Sequence, residues 1–425
     1  MGQTHEDAVR TSPAPAPRIS PRDISDAYLY LLGRLLVLRQ EHLDFRNEGF
    51  RWNVFVHRKP GGVMWANPNL DVAYSEAWVG VDESTAVIID VPQITGRYYT
   101  VQVLDMWGET IANINERTYP SHPSGAFALC TRGAKVPLSV GAQRIEIPGK
   151  KARVIARIEL GEHPEEALEL QSQLTMTTTG APHIPPAIAM PLFTNDRLPS
   201  VEVFDSAAAI LAAEPDTNAR TDSMQTKVRS VASSVNHPPE RNRVDSIIRQ
   251  QAWATLEHAR LSVGTYGHGW VHPKVTGAYG DDWLGRTVAN LVGIWSNTMP
   301  EVVTFGGGNA SPLSGSDTYS LTFGKDDLPR KHVRYFWSVT CVDAVDYRVV
   351  PNPQNRHVLD QQSRLVTGSD GSLTLYFGPK PPPNAPEANW LPTPPNKNYV
   401  LTFCAYGPDQ DIVSGKWFPP PLRKR

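Results

Sequence analysis

Two stretches of this chain crowd together side chains that can move protons and hold negative charge. The first reads Asn67-Pro68-Asn69-Leu70-Asp71-Val72-Ala73-Tyr74-Ser75, and the second runs from Thr95-Gly96-Arg97-Tyr98-Tyr99 through Gln102 to Asp105-Met106-Trp107. A carboxyl group such as Asp71 can give or take a proton, a phenol such as Tyr74 or Tyr98 can donate one, and a guanidinium such as Arg97 can hold an anion. Asp71, Tyr74 and Arg97 are therefore the expected catalytic group. Asn69, Tyr98, Gln102, Asp105 and Trp107 are the expected substrate-binding residues. A structural reading competes with this one. Arg97 and Asp71 could form a buried ion pair that holds the fold, with the tyrosine hydroxyls reaching solvent or backbone. Asn67 and Asn69 serve equally well as turn formers ahead of a strand.

The second stretch has strand composition, so its side chains alternate between two faces. Arg97, Tyr99, Val101, Val103 and Asp105 share one face, and Tyr98, Thr100, Gln102 and Leu104 share the other. At about 3.3 Å per residue, Arg97 and Asp105 are too far apart to pair directly. Asp71 is then the expected partner of Arg97. The alternation also means that the candidates form two competing sets.

Other chemistry lacks its motifs. There is no Gly-x-Ser-x-Gly elbow, Walker loop, Cys-x-x-Cys or His-Glu-x-x-His. Gly306-Gly307-Gly308 reads as a flexible loop. His268 and His272 have the spacing of metal ligands on a helix, but Gly267 and Gly269 argue against a helix there. No metal or cofactor is expected. With 41 basic against 43 acidic side chains and no basic tract in the folded part, nucleic acid is not an expected partner. The most apolar stretch, around residues 29–38, is broken by Gly33 and Arg34 and is too short to cross a bilayer, so no membrane partner is expected either. Cys130, Cys341 and Cys404 are odd in number and far apart, which fits reduced thiols; the latter two lie in apolar runs as small buried residues. The N-terminus lacks the pattern of a signal peptide, and a cytoplasmic location is expected. A homo-oligomer is compatible with the sequence.

The elements that must position these residues follow from periodicity. Residues 1–20 read as a disordered leader. A helix is expected over residues 25–45, capped by Asp23. Short strands follow at 74–81, 86–91 and 97–104, with 144–147 and 152–158 expected as a pair around Pro148-Gly149. A helix opens at His163-Pro164, and residues 175–191 read as an ordered loop. Helices are expected at 201–213, 239–261 and from Asp281 or Asp282 to 294. Strands at 319–323, 334–342, 373–377 and 399–406, separated by Pro/Gly/Asn turns, suit an antiparallel sandwich. Asn389-Trp390 reads as a loop clamp. The fold class is α+β and multi-domain: an N-terminal α+β module over 21–215, a helical linking segment over 216–300, and a C-terminal β-sandwich over 301–425.

The motif Asn69-x-Asp71-x-x-Tyr74-Ser75, followed by Val91-Pro92 and Thr95-Gly96-Arg97-Tyr98-Tyr99-x-x-Gln102-x-x-Asp105-x-Trp107, resembles the N-terminal domain of unknown function 1254. Leu313-x-Gly315, Tyr319-x-Leu321-x-Phe323, Phe336-Trp337-Ser338-x-Thr340, Asp370-Gly371-Ser372-Leu373-Thr374, Asn389-Trp390-Leu391-Pro392 and Gly415-x-Trp417 resemble its companion, domain of unknown function 1214. Gly277-x-Tyr279-Gly280-x-x-Trp283-x-x-Arg286 fits the link between them. The resemblance implies an α+β part, a helical segment and a jelly-roll-like β part, and no settled reaction. This chain departs from the usual pattern with Asn69-Leu70-Asp71 in place of an Asn-Asp pair, and with Glu301-Val302-Val303-Thr304-Phe305 before the C-terminal module. The expected function is a cofactor-independent enzyme acting on a small organic molecule by acid/base chemistry (hydrolysis, lysis or isomerisation) in a polar pocket of the N-terminal module. The alternative is a non-catalytic β-sandwich protein that binds a small molecule or a protein.

Overall fold

The computed structural model describes residues 18–60, 66–262 and 264–425. The expected disordered leader, apart from residues 18–20, lies outside the described residues. The first helix spans Pro21–Asn47, and Ser20 rather than Asp23 caps it. Pro21 presets the first helical φ, so the chain turns one step earlier than the apolar pattern suggests. The Ser20 hydroxyl accepts from the Asp23 backbone N–H at 3.1 Å and donates to the Asp23 carboxylate at 2.7 Å. Asp23 instead supplies negative charge to the positive end of the helix.

The N-terminal module is a sandwich. A five-stranded antiparallel sheet runs in the order Val56–His57, Val72–Gly80, Lys151–Glu159, Tyr99–Leu104 and Thr110–Ile114. A four-stranded sheet runs Gln143–Ile147, Gly125–Thr131, Val87–Val91 and Thr175–Thr178. The facing residues Ala77, Val79, Val101, Val103, Val154 and Ile158 of the first sheet bury themselves against Val87, Ile89, Phe127 and Leu129 of the second. The expected pairing around Pro148-Gly149 is corrected here. Gln143–Ile147 and Lys151–Glu159 lie in different sheets, and the turn carries the chain across the sandwich. A turn signal marks a change of direction but not which sheet the next strand joins. Residues 175–178 form an edge strand instead of loop.

The middle of the chain is helical, with Ala207–Ala213, Thr221–Ser234, Pro238–Ile247, Trp253–Ser262 and Trp283–Val292 gathered around the first helix. Trp283–Val292 is capped by Asp282, which accepts from the Gly285 N–H at 2.9 Å. His268 and His272 sit in a β-hairpin, Gly264–Gly267 and Trp270–Pro273, that extends the C-terminal sheet. The His272 ring bonds to the Ile412 carbonyl at 2.7 Å, so the pair serves the fold.

The C-terminal module packs a larger sheet, built on Val302–Gly307, Asn398–Tyr406 and Trp337–Asp343, against a smaller one built on Leu373–Gly378 and Tyr319–Phe323. Pairing is antiparallel except that Trp390–Pro392 runs parallel to Leu373–Gly378. Asn389 clamps its loop as expected, donating to the Val366 and Thr374 carbonyls at 2.7 and 2.8 Å. The whole is an α+β, multi-domain protein with a β-sandwich at each end. Among the described residues, no helix is long and apolar enough to cross a membrane.

Candidate functional site

The five-stranded sheet has two unlike faces. One is apolar and fills the N-terminal sandwich; the other carries Tyr74, Glu76 and Trp78, Gln102, and Lys151, Arg153, Arg157 and Glu159 on alternate positions of neighbouring strands. Such a face cannot meet water-free packing unless each charge finds a partner. Most do. Arg153 pairs with Glu76 and with Asp44 of the first helix, and Lys151 pairs with Glu41 at 3.0 Å.

Arg157 is the exception. Its side chain is buried, and among the described residues it has no carboxylate partner. Two of its N–H groups donate to neutral oxygens, the Gln102 side chain at 2.6 Å and the Trp295 backbone carbonyl at 3.1 Å. Its guanidinium also lies over the Tyr74 ring, 5.5 Å from the centroid. Burial opposes its charge, which the phenols of Tyr74, Tyr406 and Tyr98 around it favour; a guanidinium stays protonated at neutral pH.

Arg157 and Tyr74, cross-strand neighbours in register, form one wall of a cavity of about 190 Å³ between the two modules. The opposite wall comes from the C-terminal sheet. There Val302, Thr304 and Gly306 pair with Tyr406, Cys404 and Thr402 on the face turned to the cavity, while Val303, Phe305, Leu401 and Phe403 enter the sandwich core. The third side is the end of helix Trp283–Val292 and the turn after it, which brings Val292, Trp295 and Asn297. Three non-glycine residues of the lining hold left-handed backbone: Asn67 at φ 49°, Trp295 at 68° and Tyr347 at 59°. For bulky side chains that conformation costs about 1–3 kcal/mol and persists where surrounding structure enforces it.

Several buried donors at the cavity have no partner among the described residues: Asn69 Nδ2, Trp295 Nε1 and Asn297 Nδ2. The two amides cannot simply be turned round. Asn69 Oδ1 accepts from the Asp71 N–H at 2.5 Å, and Asn297 Oδ1 accepts from the Thr298 N–H at 2.7 Å, which leaves each amino group facing away from those bonds.

The predicted site residues separate. Tyr74 and Asn69 line the cavity; the Tyr74 hydroxyl accepts from the Asn69 backbone N–H at 3.1 Å, and burial pushes the phenol up in pKa against the pull of Arg157. Gln102 stands behind the lining and positions Arg157, tied also to Ser296 at 3.0 Å and Thr110 at 2.9 Å. Asp71 does not pair with Arg97. Its carboxyl is buried with neither oxygen in hydrogen-bond geometry, and burial, then the neighbouring Asp360 of the C-terminal module, push it well above the usual carboxylate range. Arg97 lies at the outer edge of the module, where it pairs with Glu166 and donates to the Glu159 carbonyl at 3.2 Å. Strand Tyr99–Leu104 begins two residues after Arg97, so alternation within the strand does not govern where Arg97 points.

Tyr98 donates to Glu301 at 3.2 Å in the module boundary. Asp105 closes a turn by accepting from the Trp107 and Glu109 N–H groups at 2.8 and 2.9 Å, and Trp107 donates to the Glu214 carbonyl at 3.1 Å. Both serve the fold. Arg157, Trp295, Asn297 and the Thr402–Tyr406 edge were not singled out from sequence. One signal was available for Arg157: Arg153 and Arg157, four apart on one face, alternate with apolar residues along the strand Lys151–Glu159.

Comparison with known proteins agrees with this architecture. The family model "Protein of unknown function (DUF1254)" matches residues 52–178, and "Protein of unknown function (DUF1214)" matches residues 302–410, together more than half of the chain. No curated protein matches. Among solved structures, the VPA0106 protein from Vibrio parahaemolyticus aligns with a TM-score of 0.65 at 18% identity, covering 95% of this chain and 99% of that one. It shows the same fold. An uncharacterized protein from Burkholderia cenocepacia aligns with a TM-score of 0.44 at 12% identity, covering 95% of this chain and 93% of that one. With both domains present in the order and places that the motifs indicated, the chain belongs to the family that joins these two domains of unknown function.

Proposed function

We propose that the cavity between the modules binds a small organic anion, and that the protein is a cofactor-independent enzyme acting on it by proton transfer. The observation that carries this reading is Arg157, a buried cation lining a cavity with no carboxylate partner among the described residues. A buried unpaired charge is expensive to keep, and an anionic ligand supplies what the protein leaves out. Tyr74, held against Arg157 and kept protonated by burial, is the proton donor. Asp71 and Arg97 have no part in this version of the site, which moves the chemistry from the interior of the N-terminal module to its boundary with the C-terminal one.

The test is a ligand-observed NMR screen of small organic acids against the wild type, Arg157→Gln and Tyr74→Phe. Acids should bind the wild type, lose at least tenfold in affinity with Arg157→Gln, and bind Tyr74→Phe without being converted. Equal binding to the wild type and Arg157→Gln would overturn the anion site. Conversion that persists in Tyr74→Phe would remove the proposed donor, and binding with no conversion by any variant would favour the non-catalytic alternative.

A further inference from the structure

The C-terminal sheet carries a cross-strand row of polar side chains where it meets the N-terminal module. Thr304 pairs in register with Cys404, Cys404 with Ser338, and Ser338 with Asp360 on strand Val358–Asp360. Residues paired across a ladder point to one face. Cys404 marks that face as the one turned to the N-terminal module, since it packs with Tyr74 in the boundary core. Asp360 therefore ends the row, half-buried, with its Oδ1 accepting from the Ser363 hydroxyl at 2.7 Å.

Asp71 meets this row from the N-terminal module, one residue before strand Val72–Gly80. Its N–H donates to Asn69 Oδ1 at 2.5 Å and its carbonyl accepts from the Leu160 N–H at 2.8 Å, which fixes its backbone. Its side chain is buried, and neither carboxyl oxygen has a hydrogen-bond partner among the described residues. Across the boundary, Asp360 and Ser338 act on that carboxyl without reaching hydrogen-bond geometry. Buried in this way with no cation paired to it, a carboxyl group is cheaper to keep with its proton than without.

The other titratable groups around it supply no compensation. Glu159, opposite Val72 in register, adds negative charge and spends its own carboxylate on the Tyr98 N–H at 2.9 Å, under the pull of Arg97. Cys404 presents a thiol that burial keeps protonated, and Tyr74 a phenol in the same state. Arg157, across from Tyr74 in register, gives its N–H groups to Gln102 and Trp295.

We propose that Asp71 and Asp360 share one proton across the module boundary and form a latch that is closed in acid and slackens as pH rises. On opening, one proton leaves to solvent through half-buried Asp360, and two carboxylates remain that repel each other across the boundary. The direction follows from Asp71, which burial and Asp360 hold well above its ordinary value of 3.8. Its contribution is full below that ordinary value and is lost as pH rises through the folded one. The latch needs no ligand in the cavity.

Hydrogen exchange of the full chain at stepped pH, read by mass spectrometry and corrected for the intrinsic exchange rate, tests it. In the wild type, protection of residues 69–75 and 358–363 should fall about tenfold or more as pH rises from about 5 to about 9. Asp71→Asn should abolish that fall, with residues 87–91 inside the N-terminal sandwich showing the same pH response as in the wild type. Asp360→Asn keeps the acceptor for Ser363 and removes the acidic neighbour, so it should move the midpoint of the fall down by about one pH unit or more. No fall in the wild type, or an equal fall in Asp71→Asn, overturns the latch. A midpoint that stays or rises in Asp360→Asn overturns the shared proton, and this reading holds even where Asp71→Asn does not fold.

Discussion

Arg153 and Arg157 lie on the same face of one strand, and their surroundings give them opposite energetics. Arg153 sits between Glu76 and Asp44, so truncating it leaves buried carboxylates uncompensated. Arg153→Met should lose about 3–5 kcal/mol in urea unfolding. Arg157 has neutral partners only, and Arg157→Met removes an uncompensated buried charge. It should unfold at a urea midpoint no lower than that of the wild type, the behaviour expected of a group kept for function at a cost in stability. Asp105 makes a separate residue-scale prediction. Burial pushes it up to about 6, against the pull of Arg286 and the backbone N–H groups of Glu109 and Trp107. A carboxyl whose folded pKa is raised binds its proton more tightly in the folded state, so its contribution is full below the unfolded value near 4 and is lost as pH rises through about 6. Asp105→Asn, which keeps the acceptor for both N–H groups, should flatten the fall in stability between those pH values. Chemical denaturation at stepped pH would measure it.

At the scale of elements, the loop ahead of helix Trp283–Val292 ties the linking segment to the site. Gly277 has φ 72°, and a Cβ there would meet the Asn297 carbonyl carbon and the Thr298 nitrogen at 2.5 Å. Its carbonyl accepts from Thr110 N–H at 2.7 Å, and the motif continues with Tyr279 N–H on Glu109 at 2.6 Å and Arg286 on Asp216. Gly277→Ala should cost about 1–3 kcal/mol and weaken anion binding together, because the strain lands on the backbone of Asn297. At the first helix, Ser20→Ala should cost about 1 kcal/mol in thermal or urea unfolding, with no effect on ligand affinity. The helix itself was legible from Leu and Tyr spacing, but its cap was not, because Pro21 and Asp23 both signal a start and only the backbone path chooses between them.

At the scale of the whole molecule, Glu301 joins the modules. Nearly inaccessible, it accepts from Arg117 at 2.5 Å, Asn115 at 3.1 Å and Tyr98 at 3.2 Å, and Arg117 also reaches Tyr335 at 2.7 Å. Glu301, which opens the altered motif before the C-terminal strand, is thus the hub of the boundary that shapes the cavity. Glu301→Ala should cost about 3–5 kcal/mol and turn one unfolding transition into two, as seen by calorimetry, because Arg117 is left without its main partner at the interface.

Local chemistry in the chain was enough to determine the α+β class, the two β modules, most strands and helices, the face alternation around Gln102, and the closeness of Tyr74 to Asn69. These depend on side-chain period and turn residues, which act over a few positions. The partner of Arg97, the sheet joined by Gln143–Ile147, and the meeting of Tyr74 and Arg157 with Trp295, Asn297 and Tyr406 depend on contacts between residues scores of positions apart. Such contacts follow from how charged faces find compensation when modules pack, and an arginine reads the same in sequence whether a carboxylate meets it or not. The candidate site that sequence placed inside one module is therefore proposed, in three dimensions, for a cavity between two, with its charge on a residue that only packing could single out.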